Sequence, residues 1–255
     1  MEHLNDRLTA LRLSGMRKTL DERHRHALEQ KISYLEFLEL LLEDEQVLRA
    51  GKSYQKRLKQ SRLNQQKRLE TYDFSFQPEL DRRLLSELAG GRFIEQKQNV
   101  VLMGKPGVGK THLANALGLK AVEQGQKVLL IHANELIDDL HRSRADESYH
   151  RLLNKLVKYD VLIIDELGFK SFPSRGTDDF FEVIRRRYEH ASTIITTNRD
   201  FQGWETLFGD AVIASAIIDR IVHHGHIIKI LGESYRLKPF KKDGKSSSEP
   251  KPKTQ

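Results

Sequence analysis

The 255-residue sequence contains no cysteine and no long apolar run. The absence of cysteine excludes disulfides and Cys-based metal sites, and it fits a reducing compartment. No apolar run approaches the ~18 residues that a membrane-spanning helix needs. The N-terminal MEHLNDRL carries acidic residues and lacks the apolar stretch of a secretory signal, so we predict a cytoplasmic protein.

The net charge of +7 is distributed unevenly along the chain. Residues 98–237 contain 18 Lys and Arg against 18 Asp and Glu, whereas residues 46–69 contain eight basic residues and no acid. The last eighteen residues, 238–255, hold six basic residues against two acidic ones. Basic patches beside a neutral block are typical of proteins that bind nucleic acid. A solvated helix face is the alternative for the first patch.

The first basic patch predicts a DNA-binding arm. Its candidate DNA-binding residues are Arg49, Lys52, Lys56, Arg57, Lys59, Arg62, Lys67 and Arg68. Positions 49, 52, 56, 59 and 62 recur at steps of three and four, which places them along one stripe of a helix if Gly51 does not interrupt it.

Changes in pattern divide the chain into four regions. We predict a small all-helical N-terminal domain with the basic arm at 1–69, in which Ser33 to Glu36 form a capping box that starts a helix. A connecting segment follows at 70–97, then an α/β domain at 98–237. The tail at 238–255 is rich in Pro, Ser and Lys, so we expect it to be disordered.

The α/β domain alternates short apolar runs with helical segments. The runs are mostly apolar throughout, as in strands of a parallel sheet buried on both faces. Five strands are predicted at 99–104, 127–133, 159–165, 192–198 and 226–231, with helices at 109–124, 134–157, 175–190 and 203–223. The pattern therefore predicts a five-stranded parallel sheet built from βαβ crossovers.

The segment GKPGVGKT matches the phosphate-loop pattern GxxxxGK[ST] between a strand and a helix. Its backbone N–H groups and the helix N-terminus suit phosphate oxygens, Lys110 suits the β- and γ-phosphates, and the Thr111 hydroxyl suits Mg²⁺. The alternative is a glycine-rich turn that binds nothing. We predict ATP and Mg²⁺ as cofactors. The predicted nucleotide-binding residues here are Gly104, Lys105, Pro106, Gly107, Val108, Gly109, Lys110, Thr111 and His112.

Polar residues end two further strands. Asp165 and Glu166 follow the apolar run of VLIIDEL, at the strand end where ligands of open α/β sheets bind. Asp165 suits a Mg²⁺ ligand acting through water, and Glu166 suits a base that orients the attacking water. Asn198 ends STIITTN and suits a sensor between the γ-phosphate and that water. A solvated strand end and ordinary turn chemistry are the respective alternatives.

The ordered motifs together resemble an AAA+ ATPase of the DnaC/IstB branch. Within that branch, the chain resembles the IstB-like helper ATPases of bacterial insertion sequences over roughly residues 1–237. The resemblance depends on LRLSGM, YLEFLELLLEDE, the basic segment, ETYDFSF, VVLMGKPGVGKTHLANALG, DRIVHHG and GESYR.

The resemblance implies an AAA+ P-loop NTPase that hydrolyses ATP, assembles on duplex DNA without strong sequence preference and assists a transposase in target selection. It implies self-association through ATP-bridged interfaces, with Arg220 as the arginine finger that reaches the neighbouring subunit. Arg236 would be a second-sensor arginine in its own subunit. A salt-bridged helix residue is the alternative for Arg220, and Arg185 to Arg187 offer a rival finger. With Lys110, Glu166 and Asn198 from the motifs above, Arg220 completes the predicted catalytic residues.

Three other functions stay open at this point. A DnaC-type loader would use the N-terminal helices to hold a replicative helicase, a small-molecule kinase would transfer phosphate to a metabolite, and a nucleotide-gated scaffold would use hydrolysis only to reset DNA binding. His223, His224 and His226 lack the spacing of a zinc motif, so a structural or helix-capping role is predicted for them.

Overall fold

The computed structural model describes residues 2–237, so the predicted disordered tail at 238–255 lies outside the described residues. The chain divides into two compact units, Met1–Lys59 and Gln60–Gln255. This division falls inside the third helix, Tyr34–Ser61, and before the predicted domain boundary at residue 69. Among the described residues, no helix combines the length and the apolar character needed to cross a membrane.

The first unit is helical, as predicted. It contains α1 (Glu2–Ala10), α2 (Ser14–Gln30) and most of α3 (Tyr34–Ser61). A small core is formed by Leu8, Met16, Leu20 and Leu41. The predicted cap is present, because Glu36 N donates to Ser33 Oγ at 3.2 Å. Gly51 lies within α3 and does not interrupt the helix.

The second unit contains the predicted five-stranded parallel sheet. The strands are β1 (Asn99–Gly104), β2 (Val128–His132), β3 (Val161–Leu167), β4 (Ser192–Thr197) and β5 (Gly225–Ile230), in the order β2-β3-β4-β1-β5. β1 lies in the sheet interior and β3 is separated from it by β4 alone. The carboxyl ends of these three strands therefore meet at one edge, where the phosphate loop, Asp165 and Asn198 lie.

Helices surround the sheet. They are α4 (Arg82–Ala89), α5 (Arg92–Glu95), α6 (Lys110–Glu123), α7 (Ala133–Ala145), α8 (Tyr149–Val157), α9 (Ser174–Arg187), α10 (Gln202–Phe208) and α11 (Ala211–Val222). Short 3-10 turns occupy Phe74–Phe76 and Tyr235–Leu237.

Two of the predicted helices are each divided into two shorter helices in the structure. The helix predicted at 134–157 breaks after α7, where Glu147 has a φ of 58°. The helix predicted at 203–223 breaks at Gly209, which ends α10 with a φ of 71°. Asp210 then caps α11, and its side chain accepts hydrogen bonds from Val212 N and Ile213 N. Single continuous helices were therefore wrong at both places.

Candidate functional site

The phosphate loop joins β1 to α6 through backbone conformations that favour glycine. Gly107 and Gly109 have φ values of 84° and 103°. A Cβ at Gly109 would lie 2.7 Å from Cε2 of Tyr72, and one at Gly107 would collide with the Ser234 side chain. Both glycines are therefore required by backbone conformation and by close packing.

The ammonium group of Lys110 lies against the backbone of the same loop. Nζ donates to the carbonyl oxygens of Gly104 at 2.7 Å and Lys105 at 2.9 Å. Burial lowers the pKa of Lys110, and the nearby Asp165 carboxylate opposes that shift. The side chain is thus held at the position where incoming phosphate oxygens would meet a positive charge.

Asp165 and Thr111 are in direct contact. Asp165 is buried, and its Oδ1 accepts hydrogen bonds from the hydroxyls of Thr111 at 2.9 Å and Thr196. Its Oδ2 is also buried and has no hydrogen-bond partner among the described residues. Buried polar atoms are rarely left unpaired. The unpaired oxygen and the adjacent threonine hydroxyl therefore fit Mg²⁺ with its water ligands, and Thr111 and Asp165 would hold it.

Glu166 leaves the regular path of β3. Its φ is 62°, and the pairing of β3 with β4 shifts register between Ile164 and Leu167. Glu166 N donates to Thr196 Oγ1 at 2.9 Å, which fixes the irregular backbone. A bulge of this kind re-aims a side chain, and the Glu166 side chain is exposed and lines a cleft beside the loop.

Thr196 and His132 belong to this site, although sequence reasoning missed both. Thr196 contacts Asp165 and the backbone of Glu166, as described above. His132 is the register partner of Asp165 across β2 and β3, and its Nδ1 lies 3.5 Å from Glu166 Oε2. Both are polar residues at or next to the end of a buried strand, which is a signal in the sequence. Only the order of the strands shows that they meet Asp165 and Glu166.

The cleft has a volume of about 340 Å³. Asn198 and Arg236, both predicted from the sequence, lie in its wall. Arg236 is close enough to Lys110 to contribute to the lowering of its pKa. The other lining residues are Lys67, Thr71, Tyr72, Asp73, Phe76, Gln77, Pro106, Gly107, Val108, Gly109, Lys110, Thr111, His112, Glu166, Phe169, Thr196 and Tyr235.

Aromatic residues of the ETYDFSF motif form one side of the cleft, which sequence reasoning also missed. The Tyr72 hydroxyl donates to Val108 O at 3.3 Å, and burial raises the pKa of Tyr72 to about 12. The Tyr72 ring makes edge contacts with Phe74 and His112, with centroids 5.0 and 5.3 Å apart. Phe76 contacts Tyr235 in the same way. These rings offer an apolar surface beside the phosphate loop.

Residues 62–73, which we call the strap, run from the end of α3 along α6 to this cleft. Asn115 on α6 accepts a hydrogen bond from Asn64 N at 2.8 Å and donates to the carbonyls of Asn64 and Lys67 at 2.8 and 3.0 Å. His112 Nε2 lies 2.7 Å from Arg68 O. The helix that begins at the phosphate loop thus holds the strap and, through it, Tyr72.

The predicted DNA-binding residues do not form one continuous stripe. Lys52, Lys56 and Lys59 are exposed on α3. Arg62 has a φ of 60° beyond the end of α3 and pairs with Glu135, so the stripe predicted through Arg62 was wrong.

The remaining members of that set have local partners. Arg49 pairs with Glu45 at 2.6 Å, and Arg57 donates to Ser53 at 2.6 Å. In the strap, Arg68 pairs with Glu123 at 3.3 Å, and Lys67 lines the cleft. Lys52 likewise donates to Ser14 Oγ at 3.0 Å, and Arg49 stays exposed beside Glu45, so the exposed basic residues of α3 are Arg49, Lys52, Lys56 and Lys59.

The candidate arginine fingers differ in exposure. Arg187 is 1% exposed and donates to the carbonyls of Leu156 at 2.6 Å and Tyr159 at 2.9 Å, so it is excluded. Arg185 and Arg186 both pair with Glu182.

Arg220 is partly exposed near the end of α11. It donates to Ala216 O at 2.8 Å, and its guanidinium carbon lies 5.1 Å from the centre of the Phe181 ring. In the described part of the chain its contacts do not include an ion pair with Asp219. Arg220 differs from Arg185 and Arg186 in having no ion pair among the described residues, although the Arg185 side chain is the more exposed.

Comparisons with known proteins agree with this geometry. The family model for IstB-like ATP binding proteins matches residues 6–243. An ATP-binding protein of insertion sequence IS21 from Pseudomonas aeruginosa is 42% identical over 244 residues, covering 96% of this chain and 92% of that protein. One of IS5376 from Geobacillus stearothermophilus is 39% identical over 237 residues, covering 93% and 94%.

Solved structures show a similar fold. AMPPCP-bound DnaA from Aquifex aeolicus has a TM-score of 0.56 at 23% identity, covering 72% of this chain and 56% of that chain. DnaI also has a TM-score of 0.56, at 24% identity, covering 67% and 95%. The fold is that of the AAA+ P-loop NTPases, and the protein belongs to the family of IstB-like ATP binding proteins.

Proposed function

We propose that this protein is an ATP-hydrolysing AAA+ protein that assembles on duplex DNA and assists a transposase. The observation that carries the proposal is the contact between the Thr111 hydroxyl and the buried Asp165, beside a cleft that Thr111, Glu166 and the phosphate loop line. This arrangement provides a phosphate cradle, a site for Mg²⁺ and an exposed carboxylate that lines the same cleft.

The chain's own residues divide the work of hydrolysis. The loop N–H groups and Lys110 bind the triphosphate, after Lys110 exchanges its two carbonyl partners for phosphate oxygens. Mg²⁺, when bound, neutralises charge on the β- and γ-phosphates. Glu166 orients the attacking water and accepts its proton, and the Asn198 amide, which lines the same cleft, would hold that water against the γ-phosphate.

The aromatic side of the cleft supports ATP as the nucleotide. Tyr72, Phe76 and Tyr235 line it within reach of the phosphate loop. Flat apolar rings suit a purine base, since base–aromatic contacts are worth about 1–3 kcal/mol.

Exposed lysines on α3 support DNA binding. Lys52, Lys56 and Lys59 recur on the helix with no acidic residue between Gln46 and Leu69. Such side chains bind backbone phosphates without reading sequence, and their binding weakens as salt rises. Arg220 would complete a neighbouring subunit's site, which supports ATP-dependent assembly.

The relatives belong to insertion sequences, which supports a transposase as the partner. A helicase loader is the second candidate, because the resemblance of the motifs to the DnaC/IstB branch covers both functions. Co-purification separates them: recovery of the transposase supports the proposal, and recovery of the replicative helicase alone supports the loader.

Two variants test ATP hydrolysis and DNA binding separately. Glu166→Gln should abolish release of free phosphate while retaining ATP, and so retain the protein on duplex DNA. The triple change of Lys52, Lys56 and Lys59 to Glu should remove DNA binding and leave ATP binding unchanged. Phosphate transfer to a metabolite by the unaltered protein would instead establish a kinase, and DNA binding that survives the triple change would show that α3 is not the DNA surface.

A further inference from the structure

Glu189, His223 and His224 meet at the sheet edge opposite the nucleotide cleft. Glu189 lies in the turn between α9 and β4, and the two histidines lie in the turn between α11 and β5. Each turn leads into the amino end of its strand, whereas the phosphate loop leaves a carboxyl end. One possible ligand atom from each of the three residues lies within 4.8 Å of the others.

We propose that Glu189, His223 and His224 bind a divalent transition metal, with Zn²⁺ as the best match. Two imidazoles and one carboxylate form a ligand set that Zn²⁺ accepts in tetrahedral sites, with water in the fourth position. Mg²⁺ and Ca²⁺ prefer oxygen ligands throughout, so this site discriminates against the ion expected in the cleft.

The neighbouring side chains orient these ligands. The Tyr188 hydroxyl lies 2.6 Å from His223 Nδ1, which leaves His223 Nε2 as the nitrogen available to a metal. The Tyr188 and His223 rings also stack, with centroids 6.0 Å apart. A hydrogen bond to the second ring nitrogen is the usual support for a metal-binding histidine. His224 Nε2 already lies 3.7 Å from Glu189 Oε1, so little movement is needed to bring both to an ion.

The third ligand comes from outside the group of three histidines. His226 is close in sequence, but its Nε2 lies 2.9 Å from Gln98 Oε1, and it is not part of this cluster. Glu189 is distant in sequence and arrives because α9 and α11 are packed together. The spacing of the three histidines therefore argued against a metal site that the tertiary structure supplies.

A metal here would join two turns that are otherwise held by side-chain contacts. Arg220 lies on the last turn of α11, next to the turn with the two histidines. Binding would therefore stabilise the ATPase unit and restrain the backbone beside Arg220, while leaving ATP affinity unchanged.

Titration of the untagged full chain with ZnCl₂ by calorimetry, without nucleotide, tests the proposal. His224→Ala and Glu189→Gln should each weaken Zn²⁺ binding at least about 10-fold, the scale typical of a perturbed metal site. His226→Ala is the matched control and should leave affinity unchanged. Zn²⁺ should raise the melting temperature of the unaltered protein and of His226→Ala, but not that of His224→Ala.

A second control tests whether Zn²⁺ binds instead beside the nucleotide cleft. His132, Asp165 and Glu166 are another group whose ligand atoms lie within 4.8 Å of one another. If His132→Ala lost Zn²⁺ binding while His224→Ala and Glu189→Gln kept it, the metal would be in the cleft and the proposal would be wrong. Failure of the unaltered protein to bind Zn²⁺ at millimolar concentration would also overturn it. Circular dichroism checks that the two separate ligand variants are folded.

Discussion

Gly15, at the start of α2, lies directly against Glu45 on α3. The Glu45 carboxylate accepts hydrogen bonds from Gly15 N and from Met16 N, the latter at 3.2 Å. Leu13, the residue that precedes α2, provides no side-chain cap. The buried carboxylate therefore takes the place of a local cap and offsets the positive end of the α2 dipole. This contact gives a structural reason for the Ser-Gly step in the LRLSGM motif.

Gly15→Ala should destabilise the helical unit. A Cβ at this position would lie 2.5 Å from Glu45 Cα, so α2 and α3 would have to separate. We expect a loss of about 1–3 kcal/mol in the free energy of unfolding, as for other overpacked sites. Thermal unfolding followed by circular dichroism measures it.

Gly51→Ala is the control with the opposite expected sign. A Cβ there would have nothing within 4 Å, and the residue lies inside α3. Alanine should therefore stabilise the protein by about 0.5–1 kcal/mol, the ordinary helix-propensity difference. Equal effects of the two substitutions would contradict the close contact at Gly15.

Asp44 should give the helical unit a stability that depends on pH. Its hydrogen bond from Arg23 lowers its pKa from 3.8 to about 2. A carboxylate with a lowered pKa in the folded state stabilises above its unfolded value, and this contribution is lost as the pH falls from about 4 to about 2. Asp44→Asn should thus be less stable than the unaltered protein at pH 7, with the difference shrinking steadily as the pH falls from about 4 through about 2.

Urea unfolding at several pH values measures this difference. Glu43→Gln, at the exposed neighbouring position, serves as the control and should show little effect throughout. A difference between Asp44→Asn and the unaltered protein that did not shrink between pH 4 and pH 2 would show that the Arg23 pair is not its cause.

Thr196→Val should slow ATP hydrolysis with little effect on ATP affinity. The hydroxyl contacts both the Asp165 carboxylate and the Glu166 backbone, so its loss leaves the bulge at Glu166 less well held. We expect kcat to fall about 10- to 100-fold, on the scale of other lost positioning contacts. Steady-state phosphate release gives kcat and KM separately.

Thr196→Ser distinguishes positioning from packing. It restores the hydroxyl and should recover most of the rate, although it lacks the methyl group. If serine and valine reduced kcat equally, the side chain's volume rather than its hydrogen bonds would be responsible.

The sequence predicted those parts of the site in which neighbouring residues of a single segment act together. The loop from Gly104 to Thr111 and the pair Asp165 and Glu166 each follow a single buried strand, so their position at the sheet edge follows from the sequence. Thr196 and His132 join them only because β3 lies between β2 and β4, and that order was not encoded in a local pattern.

The same reasoning accounts for the errors in the helices. Gly209 is a typical helix end and Asp210 a typical N-cap, so both signals are present in the sequence. The apolar residues on both sides nevertheless follow helical spacing, which predicted one continuous helix. The break at Glu147 involves no glycine or proline, and it depends on tertiary packing of α7 and α8 against α9. One stabilising contact is the Arg144 ion pair with Asp179 on α9, which also accepts from Tyr149 at 2.8 Å.

Asn115→Asp should loosen the strap and weaken ATP binding. Aspartate keeps the acceptor for Asn64 N but loses the donor to two carbonyls, and its charge would face them. Because the strap holds Tyr72 at the cleft, we expect faster hydrogen exchange across residues 62–73 and about 10-fold weaker binding of a fluorescent ATP analogue. Gln65→Ala is the control within the strap, since Gln65 is exposed and accepts from Arg68 through its backbone carbonyl. It should leave ATP affinity near that of the unaltered protein, and a loss equal to that of Asn115→Asp would show that the Asn115 contacts do not anchor the strap.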